Sequence, residues 1–189
     1  MYHSNHALKQ LKNQQALSTA NLLFSTTVST PLGPMIAISD DTALYLLQFT
    51  DQPNVQEILE RLEHKIQATA QGALHPINRI TAELKAYFDG TLTTFATPTL
   101  FSGTLFQKKV WHKLQHIPFG TTCSYSSIAN AIDQPNAFRA VARANSMNML
   151  TLIVPCHRVI NAQGSLSGYA GGIERKKWLI EHEKKIHSK

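Results

Sequence analysis

Hydrophobic positions in the first half of the chain fall into short β-prone runs before any helical spacing appears. Leu22 to Ser29, Met35 to Ser39 and Ala43 to Phe49 are three such runs. The turn Pro31-Leu32-Gly33-Pro34 separates the first two and Asp40-Asp41 the next pair, which predicts an antiparallel meander. From Val55 to Ala70 the apolar residues Val55, Ile58, Leu59, Leu62 and Ile66 recur at helical spacing. Thr81 to Phe88 predicts a shorter helix stopped near Gly90. Residues 91–102 are Thr-rich, carry Pro98 and show no helical pattern, so they read as a linker. Residues 1–20 read as a polar, loosely helical extension. The expected organisation is an extension (1–20), an α/β domain with an antiparallel sheet and helices (21–90), the linker, and an all-α domain (103–189).

The second half changes character. Thr104 can cap a helix running to about His116, with Phe106, Val110, Trp111 and Leu114 on its buried side. Pro118-Phe119-Gly120 ends it. Ser124 caps the next helix, through Ile132; Asp133 to Asn136 form a turn, and Ala137 to Ser146 is the following helix. Two short helices around a tight turn form a helix-turn-helix pattern, which also occurs in proteins that never meet DNA.

Charge sharpens this division. The net charge is +6. Residues 1–102 hold six basic and eight acidic residues, whereas 103–189 hold twelve basic and four acidic. Only the C-terminal half suits a polyanion, although its basic tail also reads as a solvated helix. No apolar run reaches the roughly 20 residues of a membrane helix, and an intracellular, soluble protein is expected. Two cysteines, Cys123 and Cys156, without a CxxC pair, exclude a zinc ribbon and make a disulfide scaffold unexpected. His112 and His116 share a helix face, but Lys113 stands where a zincin glutamate would follow, so no metal site is assigned.

The chemistry concentrates in LTLIVPCHRVI. An apolar run delivers Pro155, which stiffens its own backbone and restricts Val154, and then Cys156. Cysteine in an apolar run is usually inert core. Here His157 and Arg158 follow at once, and such neighbours favour a thiolate. Adjacent side chains diverge, so a water relay between Cys156 and His157 is easier to form than a direct contact.

PCHRVI, with Asn148 eight residues before the cysteine, IPFGTTCSY and FRAVARA upstream, and GYAGG and a basic helix ending in HE downstream, resembles the O6-alkylguanine-DNA alkyltransferases. The likeness runs from about Ser29 to Lys184 and is strongest after Gly103. It implies that Cys156 takes the alkyl group from O6 of guanine and keeps it as a thioether. By the same resemblance His157 acts through a water with Glu183 behind it, and Asn148 holds the active-site turn. Tyr125 donates a proton to the departing base. Tyr169 and Ala170 wall the pocket, Gly171 and Gly172 shape that loop, and the carbonyls of Cys156 and Val159 read the exocyclic amine. Arg139 fills the space left by an extruded base. Ser124 lies at the DNA face, and Ala140, Ala142 and Ala144 let the second helix of the motif approach a minor groove.

Three features depart from the family pattern. Arg143 stands where a small residue is usual, one turn after Arg139, and is expected to add a phosphate contact. Met149 replaces a proline, and no cysteine-rich zinc module precedes the β half. The implied activity is single-turnover methylated-DNA–protein-cysteine S-methyltransfer from O6-methylguanine, and from O4-methylthymine. It needs no cofactor. The expected setting is a cytoplasmic monomer with access to chromosomal DNA, its partner double-stranded DNA carrying O6-alkylguanine. A non-catalytic lesion binder and a helix-turn-helix regulator are the rival classes. Cys156 argues against the first, and the full set of Cys156, His157, Asn148 and Glu183 against the second.

Overall fold

A computed structural model of the chain describes residues 23–62, 66–67, 75–166 and 168–188. The extension expected at 1–20 lies outside the described residues. Three strands, β1 (Leu23–Val28), β2 (Met35–Ser39) and β3 (Leu44–Phe49), form the expected antiparallel meander. Of the helix expected from Val55 to Ala70, α1 (Pro53–Leu62) is seen, and residues 63–65 and 68–70 lie outside the described residues. Ile66–Gln67 instead forms β4, paired in parallel with β1, giving the order β3-β2-β1-β4. An apolar residue at helical spacing served as a strand because an open sheet edge was there to pair with it. The next helix, α2 (Pro76–Phe88), begins one turn earlier than expected. His75 caps it through Nδ1, and Pro76 sits in the first turn, where its missing N–H costs nothing.

Alternation along the strands divides their side chains between two cores. Ile36, Ile38 and Leu46 face α1, where Val55 closes a small cluster with Ile58 and Leu59 against it. Met35, Ala37, Leu47 and Phe49 face the other way, into one large core. That core takes in Ile80, Leu84 and Tyr87 of α2, then Val110, Trp111, Val141, Leu150, Val154, Leu179 and Cys156 itself. It is continuous between the two halves of the chain.

The C-terminal half contains α3 (Leu105–Gln115), α4 (Tyr125–Ala131), α5 (Phe138–Ser146) and α6 (Ile173–His187). Thr104 and Gln107 form a reciprocal capping box on α3, and Ser124 caps α4 by accepting from Ser127 N at 3.0 Å. The α4–α5 turn is a Schellman motif. Gln134 N donates to Ala129 O and Asp133 N to Asn130 O, with Asp133 at φ 61°. Cys123–Ser124 (β5) and Val159–Ile160 (β6) add a two-residue parallel ladder to an otherwise helical half.

The β3 edge is covered from both sides of the chain's midpoint. Residues 91–102 run along it: Leu44 N donates to Pro98 O at 2.8 Å, and Leu100 N donates to Leu44 O at 3.0 Å. The segment before the cysteine does the same. Leu47 N donates to Met149 O, and Thr151 N donates to Leu47 O, both at 2.9 Å. Gln48, itself buried, donates through Nε2 to Asn148 O at 2.5 Å and accepts through Oε1 from Thr151 Oγ1 at 3.2 Å. The N-terminal sheet therefore holds the loop that presents the cysteine. Replacing Gln48 by Ala should remove both clamps and cost about 1–2 kcal/mol, seen as a melting temperature lower by about 4 °C. A variant that melts with the wild type would show that the loop does not depend on the sheet edge.

Candidate active site

The loop that carries the cysteine is fixed by one asparagine. Asn148 Oδ1 accepts from Leu150 N at 2.9 Å, and Nδ2 donates to Val154 O at 2.9 Å and to Cys156 Sγ at 3.1 Å. Between these points the chain makes a tight turn, Val154 N donating to Leu150 O at 2.9 Å. Leu152 closes it at φ 76°, a left-handed conformation that costs a non-glycine residue about 1 kcal/mol. Burial of Leu152 in the main core outweighs that cost. Pro155 then leads into a short 3-10 turn, Cys156–Arg158, which places Cys156 at only 5% exposure.

Behind the cysteine lies a buried carboxylate. Glu183 projects from α6 at 1% exposure. Its Oε1 accepts from His157 Nε2 at 2.8 Å, Tyr87 Oη at 2.8 Å and Arg158 Nη2 at 3.0 Å. Its Oε2 accepts from Arg158 Nε at 2.8 Å and Gly120 N at 3.2 Å. Gly120 is required at that point: its φ is 76°, and a Cβ there would meet His187 Cβ at 2.5 Å. Burial alone would raise the Glu183 carboxyl, but the donors His157 and Arg158 outweigh it and hold it well below the usual carboxylate range. An ionised carboxylate only accepts, so the His157 proton sits on Nε2 and Nδ1 carries the lone pair. Nδ1 is buried and has no hydrogen-bond partner among the described residues.

Burial governs protonation at rest. Burial pushes the Cys156 thiol up, and the Asn148 hydrogen bond and the Lys176 charge offset it only in part. Burial likewise pulls His157 below its ordinary range, against the attraction of Glu183. Arg158, expected to favour a thiolate, is committed to Glu183, to Ile117 O at 2.7 Å and to the Phe119 ring. The resting pair is a neutral thiol and a neutral imidazole.

Five predicted residues meet in one cleft of about 550 Å³: Tyr125 from α4, Arg139 and Ala142 from α5, and Tyr169 and Ala170 from the GYAGG loop. Tyr169 connects this cleft to the thiol. Burial, and then the nearby Cys156 sulfur, pushes its phenol well above the ordinary value. Gly171 must lack a side chain, since a Cβ would lie 2.8 Å from the Tyr169 ring, and Gly172 at φ 91° starts α6. Arg175 fixes the loop from behind, donating to Gly171 O at 3.0 Å and pairing with Asp51 through both terminal nitrogens.

Other predicted residues lie elsewhere. Ala140 and Arg143 are exposed on α5 outside the cleft lining. Ser124 is occupied in capping α4. Ala144 is not a surface residue: it is buried, its carbonyl accepting from Trp111 Nε1 at 2.8 Å. The Cys156 carbonyl accepts from Asn145 Nδ2 and from Val159 N. Val159 is buried beside β5.

Tyr87, Asn145, Lys176 and the role of Arg158 were not read from the sequence. A signal existed for Lys176. Lys176 and Glu183 fall in phase with Leu179 and Ile180 on the buried face of α6, and a charge in phase with an apolar stripe is seldom solvated. Tyr87 comes from the other half of the chain and carried no such mark.

A helix-turn-helix beside a buried cysteine, with a histidine–carboxylate pair behind it, defines the class: a two-part protein with an open cleft next to a concealed thiol. Two family models match the chain. The 6-O-methylguanine DNA methyltransferase ribonuclease-like domain covers residues 23–101, and the DNA binding domain of the same family covers 105–185. A methylated-DNA–protein-cysteine methyltransferase of Shigella flexneri is 37% identical over 85% of this chain and 95% of its own. One from Mycobacterium leprae is 40% identical over 86% of this chain and 93% of its own. The crystal structure of the Mycobacterium tuberculosis O6-methylguanine methyltransferase superposes with a TM-score of 0.76 at 38% identity, covering 87% of this chain and 94% of that one. The protein from that organism solved in complex with DNA also gives 0.76. The chain belongs to the 6-O-methylguanine DNA methyltransferase family.

Removing the Glu183 charge tests the hub. Glu183→Gln strands the buried Arg158 guanidinium and should cost about 3–5 kcal/mol, lowering the melting temperature by about 10 °C. The acid dependence should change too. A depressed carboxyl stabilises above its unfolded value near 4.3 and loses that contribution as pH falls below it. The buried neutral His157 adds a loss that starts below about pH 6.5, where the unfolded chain takes up its proton. In the variant the steeper loss below about pH 4.3 should flatten. An unchanged melting temperature and acid slope would contradict the hub.

Proposed function

We propose that the protein repairs DNA by direct reversal, moving the alkyl group from O6 of guanine onto Cys156, once per molecule. One observation carries this reading: a buried thiol, oriented by an Asn148 hydrogen bond, is followed by a buried histidine whose Nε2 is bonded to a buried glutamate, which leaves Nδ1 as the ring's other nitrogen. A buried neutral thiol is a poor metal ligand and a poor general nucleophile. It becomes competent when a base removes its proton during displacement.

His157 Nδ1 is that base, and adjacent residues diverge, so the proton passes through a bridging water. The sulfur–carbon bond forms as the carbon–O6 bond breaks. Tyr125 donates to the departing guanine, so the base leaves neutral and the His157 proton returns through solvent to restore the phenol. Glu183 stabilises the transient imidazolium. The ring of Tyr169 stacks on the base beside Ala170. Recognition of the exocyclic amine falls to the backbone carbonyls of Cys156 and Val159.

The target oxygen is stacked inside the duplex, so the nucleotide must be extruded at a cost of a few kcal/mol. Arg139, exposed at the cleft, fills the space it leaves. Ala140 and Ala142 let α5 approach the minor groove, Arg143 reaches a phosphate, and Ser124 lies at the same face. O4-methylthymine presents the same methoxy group beside a ring nitrogen and is a second substrate. Action as a monomer, without a cofactor, belongs to the same reading. The place of action is the cytoplasm, with access to chromosomal DNA. Among the described residues no helix is long and apolar enough to cross a membrane.

Incubation with duplex DNA carrying isotope-labelled O6-methylguanine tests the reading. The label should appear on the peptide containing Cys156, at no more than one per chain, and Cys156→Ser should take up none. DNA that stays bound and keeps its label would favour the lesion-binder class instead.

A further inference from the structure

Phe138 is one of five large hydrophobic residues that stand exposed among the described residues. It opens α5, is 46% exposed, and belongs to neither hydrophobic cluster. Single exposed apolar residues are ordinary, but this one has a specific neighbour and a specific place. Its ring lines the cleft with Tyr125, Arg139 and Tyr169. The Arg139 guanidinium carbon stands 5.6 Å from the ring centroid, within cation–π range. Among the described residues no hydrogen bond or ion pair engages that guanidinium, which lies against the ring.

We propose that Phe138 is a positioning residue for Arg139, its ring face confining the guanidinium to the arc above the cleft before DNA arrives. A long side chain without a polar partner otherwise samples many rotamers, and ordering it on the duplex would slow base extrusion. The ring narrows that search while remaining weak enough to release the guanidinium into the helix. Phenylalanine suits this task because its face attracts a cation without offering a hydrogen bond that would compete with the nucleic acid. The inference rests on the proposed role of Arg139.

The test compares rates of methyl transfer to Cys156 from O6-methylguanine in a duplex and in a single strand, since only the duplex requires extrusion. Phe138→Ala and Phe138→Leu should each lower the duplex-to-single-strand rate ratio by about fivefold, and Phe138→Trp should restore it. In an Arg139→Ala background, Phe138→Ala should lower the ratio no further. Phe138→Leu behaving as wild type would overturn the inference, because apolar bulk rather than the ring face would then be what matters. Full additivity with Arg139→Ala would also overturn it. If Arg139→Ala leaves the ratio unchanged, the reading of Arg139 fails and this inference fails with it. If Arg139→Ala lowers the ratio and Phe138→Leu does not, this inference fails alone.

Discussion

The buried Glu183 carboxylate is the constraint on which the rest of the site depends. It accepts from Tyr87 in the N-terminal half, from His157 and Arg158 in the active-site turn, and from the backbone of Gly120. A charge removed from water is tolerable only when all its acceptor capacity is used. That requirement fixes the spacing between α2, α6 and the turn after α3. It also fixes the histidine: with Glu183 ionised, His157 presents a lone pair at Nδ1. One carboxylate thus determines fold geometry and proton position together.

The thiol is governed from the opposite side. Asn148 holds it, and the β3 edge holds Asn148 through Gln48 and the adjoining Met149 and Thr151 through the backbone of Leu47. Among the described residues, the N-terminal half contributes none to the cleft lining. Its contribution to the site is rigidity, delivered through the sheet edge, through Tyr87, and through Asp51 on Arg175. Stiffness matters here because a displacement needs the attacking sulfur in line with the bond it breaks. The cleft side is built differently. Arg139, Phe138 and Ala170 are exposed, as suits groups that must meet a large ligand.

Much of this was legible in the sequence, for identifiable reasons. Strand alternation, the Thr104 and Ser124 caps and the Pro31–Pro34 turn act locally, so a local reading finds them. The ordered motifs around Cys156 named the family and brought together Cys156, His157, Asn148 and Glu183. What failed depended on distant partners. Ile66 left its helical phase to pair with β1. Ala144, grouped with the groove-facing alanines, is buried under Trp111. Arg158, a neighbour read as favouring a thiolate, points at Glu183 instead, because adjacency in sequence does not say where a side chain points. Tyr87 could not be found because its partner lies 96 residues away.

The central claim is that the site keeps Cys156 neutral until substrate is in place, with His157 as the waiting base. The direct test is the ultraviolet absorbance of the thiolate during a pH titration, taken as the difference between the wild-type protein and Cys156→Ser so that Cys123 cancels. A neutral resting thiol predicts no difference near pH 7 and a band emerging only above about pH 8.5, the ordinary thiol value. A thiolate band already present at neutral pH would contradict it.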